Sequence, residues 1–176
     1  MGTVQGMTEA ERRTVAAWAA DCAERVLPLF EAEAPEDPRA RDAVDRARAF
    51  ARGELTAAEE IRRRFVAGRA AASARTPAGR AAARSAAQAA GVAHMGAHAL
   101  GAAAYAAVAT ALARGDDQGA ADAEVRWQLS QLTPEATAAL RRLPPLGADT
   151  AGPLGPGLLA RGALGDVIRS LQSGLD

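Results

Sequence analysis

Apolar residues along this chain recur at three- and four-residue spacing, with capping residues between the runs, and this pattern predicts helices throughout. Thr8-Glu9-Ala10-Glu11 has the form of a capping box. The helix it opens places Val15, Trp18, Cys22, Val26 and Leu29 on one buried face, with Asp21 and Arg25 beside that face. Pro28 removes a backbone bond, so a kink or an end near Leu27 is expected. Asp37-Pro38 reads as an N-cap followed by proline in the first helical position, heading a second helix to about Arg52 that stops at Gly53. Thr56-Ala57-Ala58-Glu59 opens a third helix, expected to carry Ile61, Phe65 and Val66 through to about Arg75. Thr76-Pro77 heads a long fourth helix ending at Gly115, Asp116-Asp117 caps a fifth, and Thr133-Pro134-Glu135 opens a short sixth before Pro144-Pro145.

Beyond Leu143 the composition turns to proline and glycine up to Gly157, which marks a linker or a surface loop. Leu164, Val167, Ile168, Leu171 and Leu175 then form an apolar stripe on a last helix. A stripe of this kind has to dock on the bundle or on a second chain, so a homodimer is one of the two outcomes. The expected architecture is all-α: an antiparallel bundle of about six helices over residues 8–143, a linker over 144–157, and a C-terminal amphipathic helix over 158–176.

Composition sharpens this picture. The chain has 176 residues, 49% of them hydrophobic, but only six aromatics (three Phe, two Trp, one Tyr). Alanine supplies most of the apolar surface, which favours closely approaching helices over a sheet. The formal charge is zero and every one of the 21 basic residues is arginine, interspersed with acids. That leaves no basic footprint for nucleic acid. Cys22, the one cysteine, has no second thiol for a disulfide or a metal knuckle. No signal peptide or long uninterrupted apolar span is apparent, so a cytoplasmic protein without membrane attachment is expected.

Candidate chemistry gathers in the fourth helix. Gly91, His94, His98, Gly101 and Tyr105 share one stripe at helical spacing. Each interior glycine costs about 1 kcal/mol relative to alanine, so Gly91, Gly96 and Gly101 mark places where a neighbouring helix or a ligand comes close to the backbone. His94 and His98, four residues apart, could share a metal ion, but a third ligand would have to come from Asp21 or Glu24 and no catalytic glutamate follows His94. No metal and no cofactor is assigned. An acid/base constellation is the other use: a histidine poised near neutral pH, oriented by Asp21 and assisted by Tyr105. Trp18, Cys22, Arg25, Gly91, Gly101 and Trp127 are the candidate ligand-binding residues. The same side chains can equally form a satisfied core, and whether the protein is an enzyme stays open. Arg62-Arg63-Arg64 reads as a solvated face balanced by Glu59 and Glu60. The chain carries no phosphate-binding glycine loop, nucleophile elbow or dinucleotide fingerprint.

Three blocks together, Trp18 to Glu31 (WAADCAERVLPLFE), Ala47 to Glu54 (ARAFARGE) and Ala93 to Ala106 (AHMGAHALGAAAYA), resemble the signature of the immunity-five-like family of bacterial immunity proteins. The resemblance covers about residues 10 to 143. It implies a small helical protein that neutralises a partner toxin, and it carries no catalytic assignment. Two functions follow for the chain: stoichiometric binding of a toxin or toxic metabolite, or an enzyme or self-resistance protein of a bacterial natural-product pathway that uses the inward histidines on a small molecule.

Overall fold

Threonine caps set where four of the helices begin. In the computed structural model, which describes residues 6–63 and 65–176, Thr8 and Glu11 satisfy each other's backbone donors at the head of α1 (Glu9–Glu31). Thr56 and Glu59 do the same for α3 (Ala57–Arg63). Thr76 accepts from Gly79 N at 3.0 Å to start α5 (Pro77–Gly91), and Thr133 accepts from Ala136 N at 3.1 Å to start α8 (Pro134–Arg141). Asp117 caps α7 (Gln118–Ser130) through Gly119 N. Before α2 (Arg39–Ala51), Asp37 accepts from both the backbone and the guanidinium of Arg39, which holds its carboxyl well below the usual range. Each such cap is worth about 1 kcal/mol. The remaining elements are α4 (Val66–Ala70), α6 (His98–Ala113) and α9 (Gly162–Gly174), with 3-10 turns at Ala71–Ser73 and Leu158–Ala160.

About 70% of the chain is helical, and no strand occurs among the described residues. The fold is all-α. Its centre is the α5–α6 pair, flanked by α1 on both, by α2 on α5, and by α7 and α9 on α6. Along α6 the buried positions run from Ala99 through Tyr105 to Ala111 on every side of the helix, the pattern of a helix enclosed all round. Most polar groups that enter this core are paired, Gln128 Oε1 being a buried atom without a partner among the described residues. Ser85 Oγ donates to Ala102 O at 2.7 Å, Gln128 Nε2 to Ala103 O at 3.0 Å, and Trp18 Nε1 to Gln128 O at 2.8 Å.

Three sequence expectations are corrected. The segment Thr76 to Gly115 is two helices: α5 ends at Gly91, residues 92–97 turn, and α6 begins at His98. The turn closes on its own backbone, with Met95 N donating to Gly91 O at 3.0 Å and His98 N to Met95 O at 3.1 Å. Folding back packs two alanine-rich helices on each other, where one long helix would leave much of its alanine uncovered. The third helix also breaks: α3 stops at Arg63 and α4 is short. Its buried positions are Ala67, Ala70 and Glu60, while Ile61 and Phe65 lie at the surface; Arg64 of the arginine run is outside the described residues. Finally, of the kink or end expected near Leu27 the end is excluded, since α1 passes through Pro28 to Glu31, its last turn anchored by fully buried Leu27 and Phe30.

The proline- and glycine-rich stretch forms a loop held against the bundle. Leu154 is fully buried, and its carbonyl accepts from Gly147 N at 2.8 Å. Gln172 of α9 joins the loop through Leu146 N and Pro144 O. The apolar face of α9 (Val167, Ile168, Leu171) is buried, and α9 packs on α6 and α7.

Candidate functional site

The turn between α5 and α6 presents a pair of side chains, Gln88 and His98, that two glycines make room for. His98 Nδ1 lies 2.8 Å from Gln88 Oε1. Because that partner is an acceptor, Nδ1 carries the proton and donates, leaving Nε2 as the ring's acceptor. A Cβ on Gly91 would sit 3.1 Å from the His98 ring, and one on Gly101 would strike the Gln88 amide and meet Leu159 Cδ1 at 3.1 Å. Both glycines are therefore places of close approach, and what approaches are side chains of this same chain. Gly96 plays the like part for Met7. From outside, Arg12 of α1 holds the turn, donating to Ala93 O at 3.0 Å and to Met7 O at 2.7 Å.

Gln88 and His98 border a cavity of about 340 Å3. From the bundle come Gln88, His94, Met95, His98 and Tyr105; from the tail come Gly152, Pro153, Gly157, Leu158 and Leu159. His94 and His98 have ring centroids 5.7 Å apart, inclined by 32°. Burial, with His94 nearby as a smaller cause, pushes His98 down to about 4. The ring is neutral at physiological pH, below the poise an acid/base histidine near pH 7 requires. Burial likewise pushes the Tyr105 phenol up, opposed by Arg84.

The other sequence candidates lie elsewhere. Asp21 receives Arg48 of α2 at 2.7 Å and is not part of the cavity wall, so the His–Asp–Tyr constellation is not assembled. Trp18 is a buried anchor whose indole N–H meets Gln128 O. Arg25 makes a two-pronged pair with Glu124 at 2.8 and 3.0 Å while stacking 3.8 Å over the ring of Trp127. Cys22 is fully buried, and desolvation, with Glu124 and Asp21 adding to it, pushes its thiol up, away from nucleophilic character. The ten candidates thus split into a cavity group (His94, His98 and Tyr105 in the wall, with Gly91 and Gly101 against His98 and Gln88) and a seam between α1 and its neighbours (Trp18, Asp21, Cys22, Arg25, Trp127). Among the described residues no group of three or more His, Cys, Asp or Glu side chains is placed to hold a metal ion.

Sequence reasoning missed Gln88, Met95 and the tail residues Pro153, Leu158 and Leu159. Gln88 had a signal, since it lies one helical turn before Gly91 on the segment carrying the glycines.

Fold and site together define a small all-α bundle with a lateral cavity bordered by two histidines, a glutamine and a tyrosine. A family model described as Imm-5 like putative immunity protein matches residues 5–135, and the chain belongs to that family. No curated protein and no solved structure matches it. The matched stretch ends inside α8, so the tail side of the cavity lies beyond it. No helix among the described residues is long and apolar enough to cross a membrane.

Proposed function

We propose that this protein is an immunity-type protein that neutralises a toxin or toxic metabolite by stoichiometric binding. Membership of the Imm-5 like family over residues 5–135 carries the reading. The geometry of His98 agrees with binding rather than turnover. His98 is held by an amide rather than a carboxylate, and Asp21, the carboxylate expected to orient it, is engaged by Arg48. Proton transfer at neutral pH needs a group titrating near that pH, and burial takes His98 away from it.

The second reading, a small-molecule protein of a natural-product pathway, is favoured by one observation: His94, His98 and Tyr105 border the same cavity. In that reading sequestration fits the neutral ring better than catalysis. A dose series separates the readings. Protection of a toxin target that saturates at one equivalent of the protein supports stoichiometric neutralisation, whereas protection by a small fraction of an equivalent, with the toxin chemically altered, contradicts it. A metabolite that raises the melting temperature by mass action identifies the second reading.

A further inference from the structure

We infer that the cavity between the α5–α6 turn and the tail is a binding site for an uncharged, mainly apolar small molecule carrying one N–H or O–H donor. The inference rests on the small-molecule reading and names the class of ligand. Size fits first: about 340 Å3 lies within the roughly 300–1,000 Å3 range of small-molecule sites.

Charge decides the class. Among the described residues the wall contains no Asp, Glu, Lys or Arg side chain. By contrast, the larger cavity of about 570 Å3 is bordered by Arg141, Arg169 and Asp176, and one of about 360 Å3 by Arg25, Arg114 and Glu124. Arg141 in the larger one already donates to the backbone carbonyls of Leu175 and Asp176. An ionised ligand entering the histidine cavity would shed water without meeting a charged side chain in the described wall, Arg84, which acts on Tyr105, standing outside it; the cost is several kcal/mol or more. An apolar ligand meets Met95, Pro153, Leu158 and Leu159 instead.

The donor requirement comes from His98. Gln88 Oε1 accepts the hydrogen bond from Nδ1–H, so the ring has an acceptor to offer at Nε2 and no second donor. The acceptor is preorganised, because Gly91 and Gly101 let the ring and its amide partner settle against the backbone. The tail supplies the apolar side. Leu158 is 64% exposed although it borders the cavity, which is the condition of a rim residue that a ligand would cover. Since residues 5–135 carry the family match, the donor-reading pair belongs to the family part and the apolar rim to this chain's own tail. Ligand choice is therefore shared between them.

The test uses the full chain and three probes of nearly one shape: indole, which has the donor; indene, which lacks it; and indole-3-carboxylate, which adds a charge. Binding is followed calorimetrically and by the ring resonances of His94 and His98. Indole is expected to bind at least roughly tenfold more tightly than indene, equivalent to about 1.4 kcal/mol, and the carboxylate more weakly than either. Leu158→Ala should weaken indole and indene alike without lowering the melting temperature, because the side chain is exposed. His98→Leu should erase the difference between indole and indene. Equal affinity for these two, or preference for the carboxylate, overturns the ligand class while leaving a small-molecule site. Full affinity in Leu158→Ala overturns the part given to the tail. If none of the probes at millimolar concentration moves the histidine resonances, both the inference and the small-molecule reading fall. Should His98→Leu not fold, the wild-type comparison and Leu158→Ala still decide.

Discussion

Polar groups are handled in opposite ways at the seam along the later turns of α1 and at the α5–α6 turn. At the seam with α2 and α7, charges meet charges: Arg48 with Asp21, Arg41 with Glu24 and Glu31, and Arg25 with Glu124 under the ring of Trp127. At the α5–α6 turn, which Arg12 ties to the start of α1, the buried polar pair is an imidazole and an amide, both neutral, held where glycines open space. Paired charges staple helices together and have little left for a ligand. A neutral ring with one unshared acceptor beside apolar walls is suited to recognition.

Several substitutions sharpen this contrast, beginning with the largest effect. Trp18→Ala removes a buried anchor and the donor to Gln128 O. A loss of about 3–5 kcal/mol is expected in chemical denaturation. Probe binding at the turn, measured on the fraction still folded, should be unchanged. If binding disappears as well, the two regions are not separate.

The next effect is in pH. His98 has a folded-state value depressed to about 4, against about 6.5 for an unperturbed histidine. The folded state therefore favours the neutral ring. This contribution is fully present above pH 6.5 and is lost as pH falls through 6.5 toward 4, reaching about 2–3 kcal/mol. Wild type and His98→Gln, compared by denaturation at pH 7 and pH 4.5, should differ in slope by that order. Equal slopes would remove the case for a buried neutral ring.

Smallest, and distinctive in sign, are two alanine substitutions. Gly68 in α4 has open space where a Cβ would go, so Gly68→Ala should stabilise by about 0.4–1 kcal/mol. Gly91→Ala, in an equally helical position, presses a methyl group on the His98 ring. It should destabilise by about 1–2 kcal/mol. Thermal melts of the two variants check this, and stabilisation by both would mean that Gly91 has no role in seating the ring.

Much of this fold is legible in the sequence where the signal is local. Thr8, Thr56, Thr76 and Thr133 act within a few residues of themselves, so their motifs survive whatever packs around them. The break between α5 and α6 is hidden because alanine is acceptable on both buried and exposed faces, and periodicity cannot tell one long helix from two that fold together. Close approach at Gly91 and Gly101 could be read from their cost in a helix, but not what would approach. Gln88 looks like an ordinary polar interruption until His98 is seen beside it. Asp21 illustrates the converse: its place next to an apolar face was clear, yet only tertiary packing decides that Arg48 is its neighbour. Leu158 and Leu159 belong to a stretch whose proline and glycine suggest a connector, and only the fold brings them to Gln88 and His98.

The central claim is that the cavity is a neutral, recognising site rather than an acid/base one, and nitrogen-15 chemical shifts of the two imidazoles followed from pH 4 to 8 test it most directly. His98 is expected to hold a single neutral tautomer with the proton on Nδ1 from pH 8 down to about pH 5, and to begin protonating only below that. A His98 ring that titrates with a midpoint between 6 and 7, or that carries its proton on Nε2, would contradict the account and return the cavity to the acid/base reading.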